Sequence, residues 1–87
     1  MKVLKFYASW CYPCLALGAV IAQSNSSVEV QEIDIDKDPK IVQEYKVRGV
    51  PTLVLLDDEG KEVKRHTGPM TTTTYEQFVA IQAVDTD

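Results

Sequence analysis

The sequence has little with which to hold a metal or a nucleic acid: one histidine, two cysteines, and nine Lys and Arg against thirteen Asp and Glu. A structural metal site needs about four ligands, and Cys11, Cys14 and the distant His66 fall short of that set. The acidic balance, a net charge of -4 and a pI near 4.8, argues against broad contact with a phosphate backbone, which requires clustered cations. No apolar stretch approaches the ~20 residues of a membrane helix. Lys5 interrupts the apolar start at Val3-Leu4 and no small-residue cleavage site follows, so the opening does not read as an export signal and the chain reads as cytoplasmic. No repeat or linker divides it. Residues 1–87 are therefore expected to form one domain, small enough that only about 60% of the unfolded surface can be buried.

What is present is an ordinary globular balance, 45% hydrophobic and 25% charged residues, arranged as alternating elements. Residues 2 to 7 are rich in strand formers and run directly into Trp10-Cys11-Tyr12-Pro13-Cys14. Beyond Pro13, which is tolerated in a first helical turn, Leu15, Leu17, Val20 and Ile21 have helical spacing, and Gln23 to Ser27 end that helix. Val28 to Ile35 alternates as a second strand, which a helical crossover would make parallel to the first. A short helix to Tyr45 follows with Asp38 as its expected cap. Thr52 to Leu56 is a nearly unbroken apolar run, the mark of a strand buried on both faces. A turn at 57–60 returns the chain as an edge strand, Lys61 to Thr67, carrying His66. Thr73 with Glu76 has capping-box spacing, and Tyr75, Phe78, Val79 and Ile81 predict a final helix to about Val84, with 85–87 fraying.

Three blocks carry a resemblance. Phe6-Tyr7-Ala8-Ser9-Trp10-Cys11-Tyr12-Pro13-Cys14, the strand end Ile33-Asp34-Ile35-Asp36, and Arg48-Gly49-Val50-Pro51-Thr52 together resemble the thioredoxin family, in its order and at its spacing. They extend over essentially the whole chain, although the family's usual first strand and helix are absent, as in the minimal forms encoded by some phages and archaea. The implied fold is α/β: a minimal thioredoxin fold, β-α-β-α-β-β-α, with a four-stranded mixed sheet and helices on both faces. Glutaredoxins share this truncated plan. They usually carry Pro-Tyr between the cysteines, however, where this chain has Tyr12-Pro13, and their Gly-Gly-x-Asp segment has no match at Gly68-Pro69-Met70.

The resemblance implies reduction of protein disulfides, with Cys11 as nucleophile and Cys14 as resolving thiol. Cys11 stands where a helix begins, so unpaired backbone N–H groups and the helix dipole favour its thiolate. No cofactor beyond a Cys11–Cys14 disulfide is expected, and no metal. Thioredoxin reductase or glutathione would supply electrons to a monomer in the cytoplasm, the host's cytoplasm if the chain is phage-encoded. Ribonucleotide reductase is a common client of the family. The peptide before Pro51 is expected to be cis and to face the cysteines, with Trp10, Tyr12, Pro13, Val50, Gly68 and Pro69 around the docking surface. A redox-independent role as a binding subunit is the alternative of a different class. One departure stands out: where many family members carry a buried Asp and a neighbouring Lys, this chain has Lys5 and Glu32. Strand parity lets the two meet, and a pair so placed would tune Cys14 and accept its proton.

Overall fold

The computed structural model describes residues 1–80. The chain runs β1 (Lys2–Tyr7), α1 (Tyr12–Gln23), β2 (Glu29–Asp34), α2 (Pro39–Glu44), β3 (Thr52–Leu56), β4 (Glu62–Thr67) and α3 (Thr72–Val79). The strands lie in the order β2-β1-β3-β4. β1 pairs in parallel with β2 and antiparallel with β3, and β3 pairs antiparallel with β4. This is the mixed sheet expected from the sequence, and the crossover through α1 accounts for its parallel pair.

Side-chain parity divides the core into two layers. On one face Val3, Leu53 and Leu55 pack with Leu17 of α1 and with Tyr75, Phe78 and Val79 of α3. On the other, Leu4, Phe6, Ile33, Val54 and Leu56 are covered by Ile41, Val42 and Tyr45 from α2 and the residue after it. All five residues of β3 are buried, as the unbroken apolar run requires of a central strand. β4 is an exposed edge. Its Arg65 binds Glu62 through Nε and Nη2 and also donates to the Tyr45 carbonyl at 2.8 Å, which ties the edge to the end of α2. That guanidinium lowers the Glu62 carboxyl below its ordinary pKa, and the carboxylate raises Arg65 in turn.

Several local expectations need correction. α3 is capped not by Thr73 but by Thr71, whose hydroxyl accepts from the Thr74 N–H at 3.1 Å. Glu76 instead accepts from the Asn25 backbone N–H at 2.8 Å, so it fastens the loop after α1 rather than closing a capping box. Asp38 makes no capping hydrogen bond; its backbone, at φ -124 and ψ 63, departs from the extended conformation usual for an N-cap. On the edge strand, His66 Nε2 lies 3.2 Å from the Pro69 carbonyl oxygen. Leu15 has helical spacing but points away from the core and is 67% exposed. The expected extension of the last helix to Val84 and the fraying of 85–87 lie outside the described residues.

Candidate active site

Both cysteines sit at the junction of β1 and α1. After β1 the chain turns, with the Cys11 N–H donating to the Ala8 carbonyl at 3.1 Å. Cys11 then takes the N-cap position of α1 in an extended conformation, φ -97 and ψ 107. Its sulfur accepts the Cys14 backbone N–H at 3.2 Å, so the sulfur performs the task that a Ser or Asp oxygen performs in other helices. Pro13 occupies the first turn, and no acidic residue stands there to oppose negative charge. The two sulfurs are joined in a disulfide. Cys11 and Cys14 are 5% and 2% exposed and pack with Ala8, Tyr7, Ile35 and Val50.

Val50 packs against the cysteines, and its peptide bond to Pro51 is cis. The loop is held from below. Buried Thr52 donates its hydroxyl to the Gly49 carbonyl at 2.7 Å, and its oxygen lies 3.2 Å from the Thr67 hydroxyl on β4. The Gly68 N–H donates to the Pro51 carbonyl at 2.9 Å. Gly68 has φ +109, a backbone conformation that a residue with a Cβ rarely adopts. A groove of about 320 Å³ runs beside this loop, lined by Trp10, Ile35, Val42, Val47, Arg48, Gly49 and Val50. The exposed Trp10 ring forms one wall, anchored by its Nε1–H to Asp36 at 3.1 Å.

Lys5 is buried on the face of β1 that carries Val3, opposite Glu32 in the parallel register. Its Nζ lies 3.3 Å from Glu32 Oε2, with the lysine side chain 6% and the glutamate side chain 60% exposed. The ammonium is also 5.6 Å from the centre of the Tyr7 ring. A glycine makes this placement feasible: a Cβ on Gly18 would lie 3.1 Å from Lys5 Nζ. Gly18 stands four residues after Cys14, about one helical turn along α1. A buried cation is thus directed toward the helix that carries both sulfurs, with its counter-charge at the solvent boundary.

The structure therefore gathers Trp10, Cys11, Cys14 and Val50 in one place, while the side chain of Pro51 is fully buried. Lys5 and Glu32 meet beneath α1, and Tyr12 projects into solvent, 83% exposed. Gly68 supports the proline loop through its backbone. Sequence reasoning did not assign Ile35 and Val47 to the groove wall; the signal for Ile35 was present, because it lies in the second of the three resembling blocks. A separate hollow of about 350 Å³, lined by residues that include Asn25, Val28, Glu76 and Val79, lies at the opposite end of α1 and contains no sulfur. Among the described residues no group of three or more His, Cys, Asp or Glu could hold a metal ion, and no helix is long and apolar enough to cross a membrane.

Comparison with known proteins agrees with this geometry. Residues 1–81 match the family model described as Thioredoxin. Thioredoxin of Chlamydia trachomatis serovar D is 39% identical over 71 residues, which cover 78% of this chain and 69% of that protein. A thioredoxin-like protein of Synechocystis sp. is 37% identical over 70 residues, 76% of this chain and 66% of the relative. Among solved structures, a point-mutant thioredoxin from Halobacterium salinarum superposes with a TM-score of 0.84 at 33% identity, covering 92% of this chain and 72% of that one. Mitochondrial thioredoxin 3 from Saccharomyces cerevisiae, in its oxidized form, superposes with a TM-score of 0.79 at 30% identity, covering 92% and 76%.

Proposed function

The chain belongs to the thioredoxin family, and from that premise we propose that it reduces protein disulfides in the cytoplasm as one catalytic domain, with Cys11 attacking and Cys14 resolving. Family membership together with the Cys11–Cys14 disulfide makes it a thiol–disulfide oxidoreductase. The observation that carries the division of roles is the sulfur of Cys11 at the N-cap of α1, accepting the Cys14 N–H. A thiolate there gains charge-assisted hydrogen bonding and the positive end of the helix dipole.

In the reduced protein the Cys11 thiolate attacks one sulfur of the substrate disulfide. The substrate S–S bond breaks, a Cys11–substrate disulfide forms, and one substrate thiolate leaves. The Cys14 thiol gives up its proton and attacks the Cys11 sulfur, re-forming the Cys11–Cys14 bond and releasing the second substrate thiolate. Two electrons pass to the substrate. An external dithiol, delivered by thioredoxin reductase, or a pair of glutathione thiols returns them. Trp10, Tyr12, Pro13, Val50 and Pro51 contact the substrate, whose extended backbone pairs with Val50 by strand addition. Gly68 holds Pro51 in place. Lys5 and Glu32 are positioning residues: the ammonium favours the Cys14 thiolate, and the pair takes up its proton.

The decisive experiment is insulin reduction followed in parallel with thioredoxin reductase and with glutathione plus its reductase. Wild type turns over with at least one donor, Cys11→Ser is inactive, and Cys14→Ser accumulates a covalent complex with substrate that dithiothreitol releases. Turnover by Cys11→Ser would overturn the assignment of roles.

A further inference from the structure

Among the described residues four large apolar side chains are exposed, and three of them, Trp10, Tyr12 and Leu15 at 69%, 83% and 67%, surround Cys11; Val63 is the fourth. Tyr12 and Leu15 are three apart on α1 and so are neighbours on its outer surface. With Ser9, Trp10 and Cys11 they line a second groove of about 290 Å³, on the helix side of the nucleophile. Trp10 is the wall shared with the groove beside Val50. Leu15 takes no part in the core, to which α1 contributes the buried Cys14 and Leu17 and the partly buried Val20 and Ile21. An exposed leucine alone would mean little. Three bulky apolar groups around a cysteine that is itself only 5% exposed mean more, since whatever bonds to its sulfur must lie against them.

We propose that this helix-side groove is a specificity pocket, which receives an uncharged, bulky apolar side chain from within two residues of the substrate's reactive cysteine. The proposal rests on the reading of Cys11 as the attacking sulfur. Three observations select the occupant. Cys11 lines the groove, so a substrate joined to it is already seated there. No charged side chain lines the groove, so nothing compensates the desolvation of a charged occupant. The span from Cys11 to Leu15 is about one helical turn, ~6 Å, which two residues of extended chain at ~3.3 Å each can cover. A substrate cysteine flanked by Phe or Leu would therefore engage both grooves, one on each side of Trp10.

The test uses two disulfide-linked peptides identical except for Phe or Ser two residues from each cysteine. Their kcat/KM values are compared for wild type, Leu15→Ser and Leu15→Met. Wild type should prefer the Phe peptide by about five- to tenfold, the effect of burying part of one apolar side chain after the ordering costs of binding. In Leu15→Ser the preference should fall toward one, and in Leu15→Met, which keeps an apolar surface, it should persist. An undiminished preference in Leu15→Ser would overturn the pocket, as would a wild type that reduces both peptides equally well while remaining active. If wild type reduced neither peptide, the activity itself would fall and the pocket with it.

Discussion

Replacing Gly18 by alanine sets two effects against each other. A glycine inside a helix costs about 1 kcal/mol relative to alanine, so at an ordinary α1 position the change would stabilise by that amount. Here the new Cβ would stand 3.1 Å from Lys5 Nζ, closer than the 3.4–4 Å of ordinary contact. The ammonium would have to retreat by a few tenths of an ångström from a place where it is buried and 3.3 Å from Glu32. Exposed ion pairs contribute about 0.2–1 kcal/mol, whereas breaking fully buried ones costs about 3–5 kcal/mol. With Glu32 60% exposed, this pair belongs toward the lower range. Disturbing it should remove about 0.5–1 kcal/mol and cancel most of the helical gain. Gly18→Ala is thus expected to change stability by less than about 0.5 kcal/mol, whereas in a Lys5→Met background it should stabilise by about 1 kcal/mol, or roughly 4–8 °C in Tm. Urea unfolding of the four proteins closes the cycle. Equal gains in both backgrounds would refute the claim that the missing Cβ is what accommodates Lys5.

Glu32→Gln leaves a buried ammonium without its counter-charge and should cost about 1–2 kcal/mol, discounted from the fully buried case because the carboxylate faces water; Lys5→Met, which removes the charge that needs compensating, should be closer to neutral. Equal costs in urea unfolding would contradict that order. Thr71→Ala should destabilise by about 1 kcal/mol through loss of the α3 cap while Thr73→Ala stays within about 0.5 kcal/mol, a contrast visible in urea midpoints. Burial raises the pKa of the Tyr75 phenol, so the folded state holds that proton more tightly than the unfolded state. Its contribution is complete below pH ~10 and is lost as pH rises through the folded value. Tyr75→Phe should accordingly lose less stability than wild type as the pH rises above about 10, measured as the difference in urea midpoints.

Much of the fold was legible because single residues carried strong constraints. The nearly unbroken run at Thr52 to Leu56 marked a strand buried on both faces, and Pro13, two residues after Cys11, marked the first turn of a helix. Pro51 and Thr52 marked a loop, although the reason for the threonine, its bond to the Gly49 carbonyl beneath the turn, appears only in three dimensions. Elsewhere local patterns had several solutions. Four consecutive threonines offered four capping oxygens, and the one used was decided by where Tyr75 and Phe78 had to enter the core. Leu15 fitted a helical stripe by spacing, yet Cys14 and Leu17 set which face of α1 turns inward and left it outside. Parity brought Lys5 and Glu32 together, but how closely Lys5 approaches α1 depends on the Cβ that Gly18 lacks. That is a property of packing between elements, and no local pattern encodes it.

With Cys11 as the proposed nucleophile, its sulfur is at once the end-piece of a helix and the atom that changes partners. In the oxidised protein it already accepts the Cys14 N–H, and an N–H so directed serves a thiolate or a sulfur bonded to substrate without being moved. The amide dipoles are therefore aligned before the reaction begins, and little rearrangement accompanies the change of covalent partner. The same contact binds chemistry to mechanics: because a hydrogen bond to a charged acceptor is stronger than one to a neutral acceptor, the first turn of α1 is held most firmly when Cys11 is a thiolate.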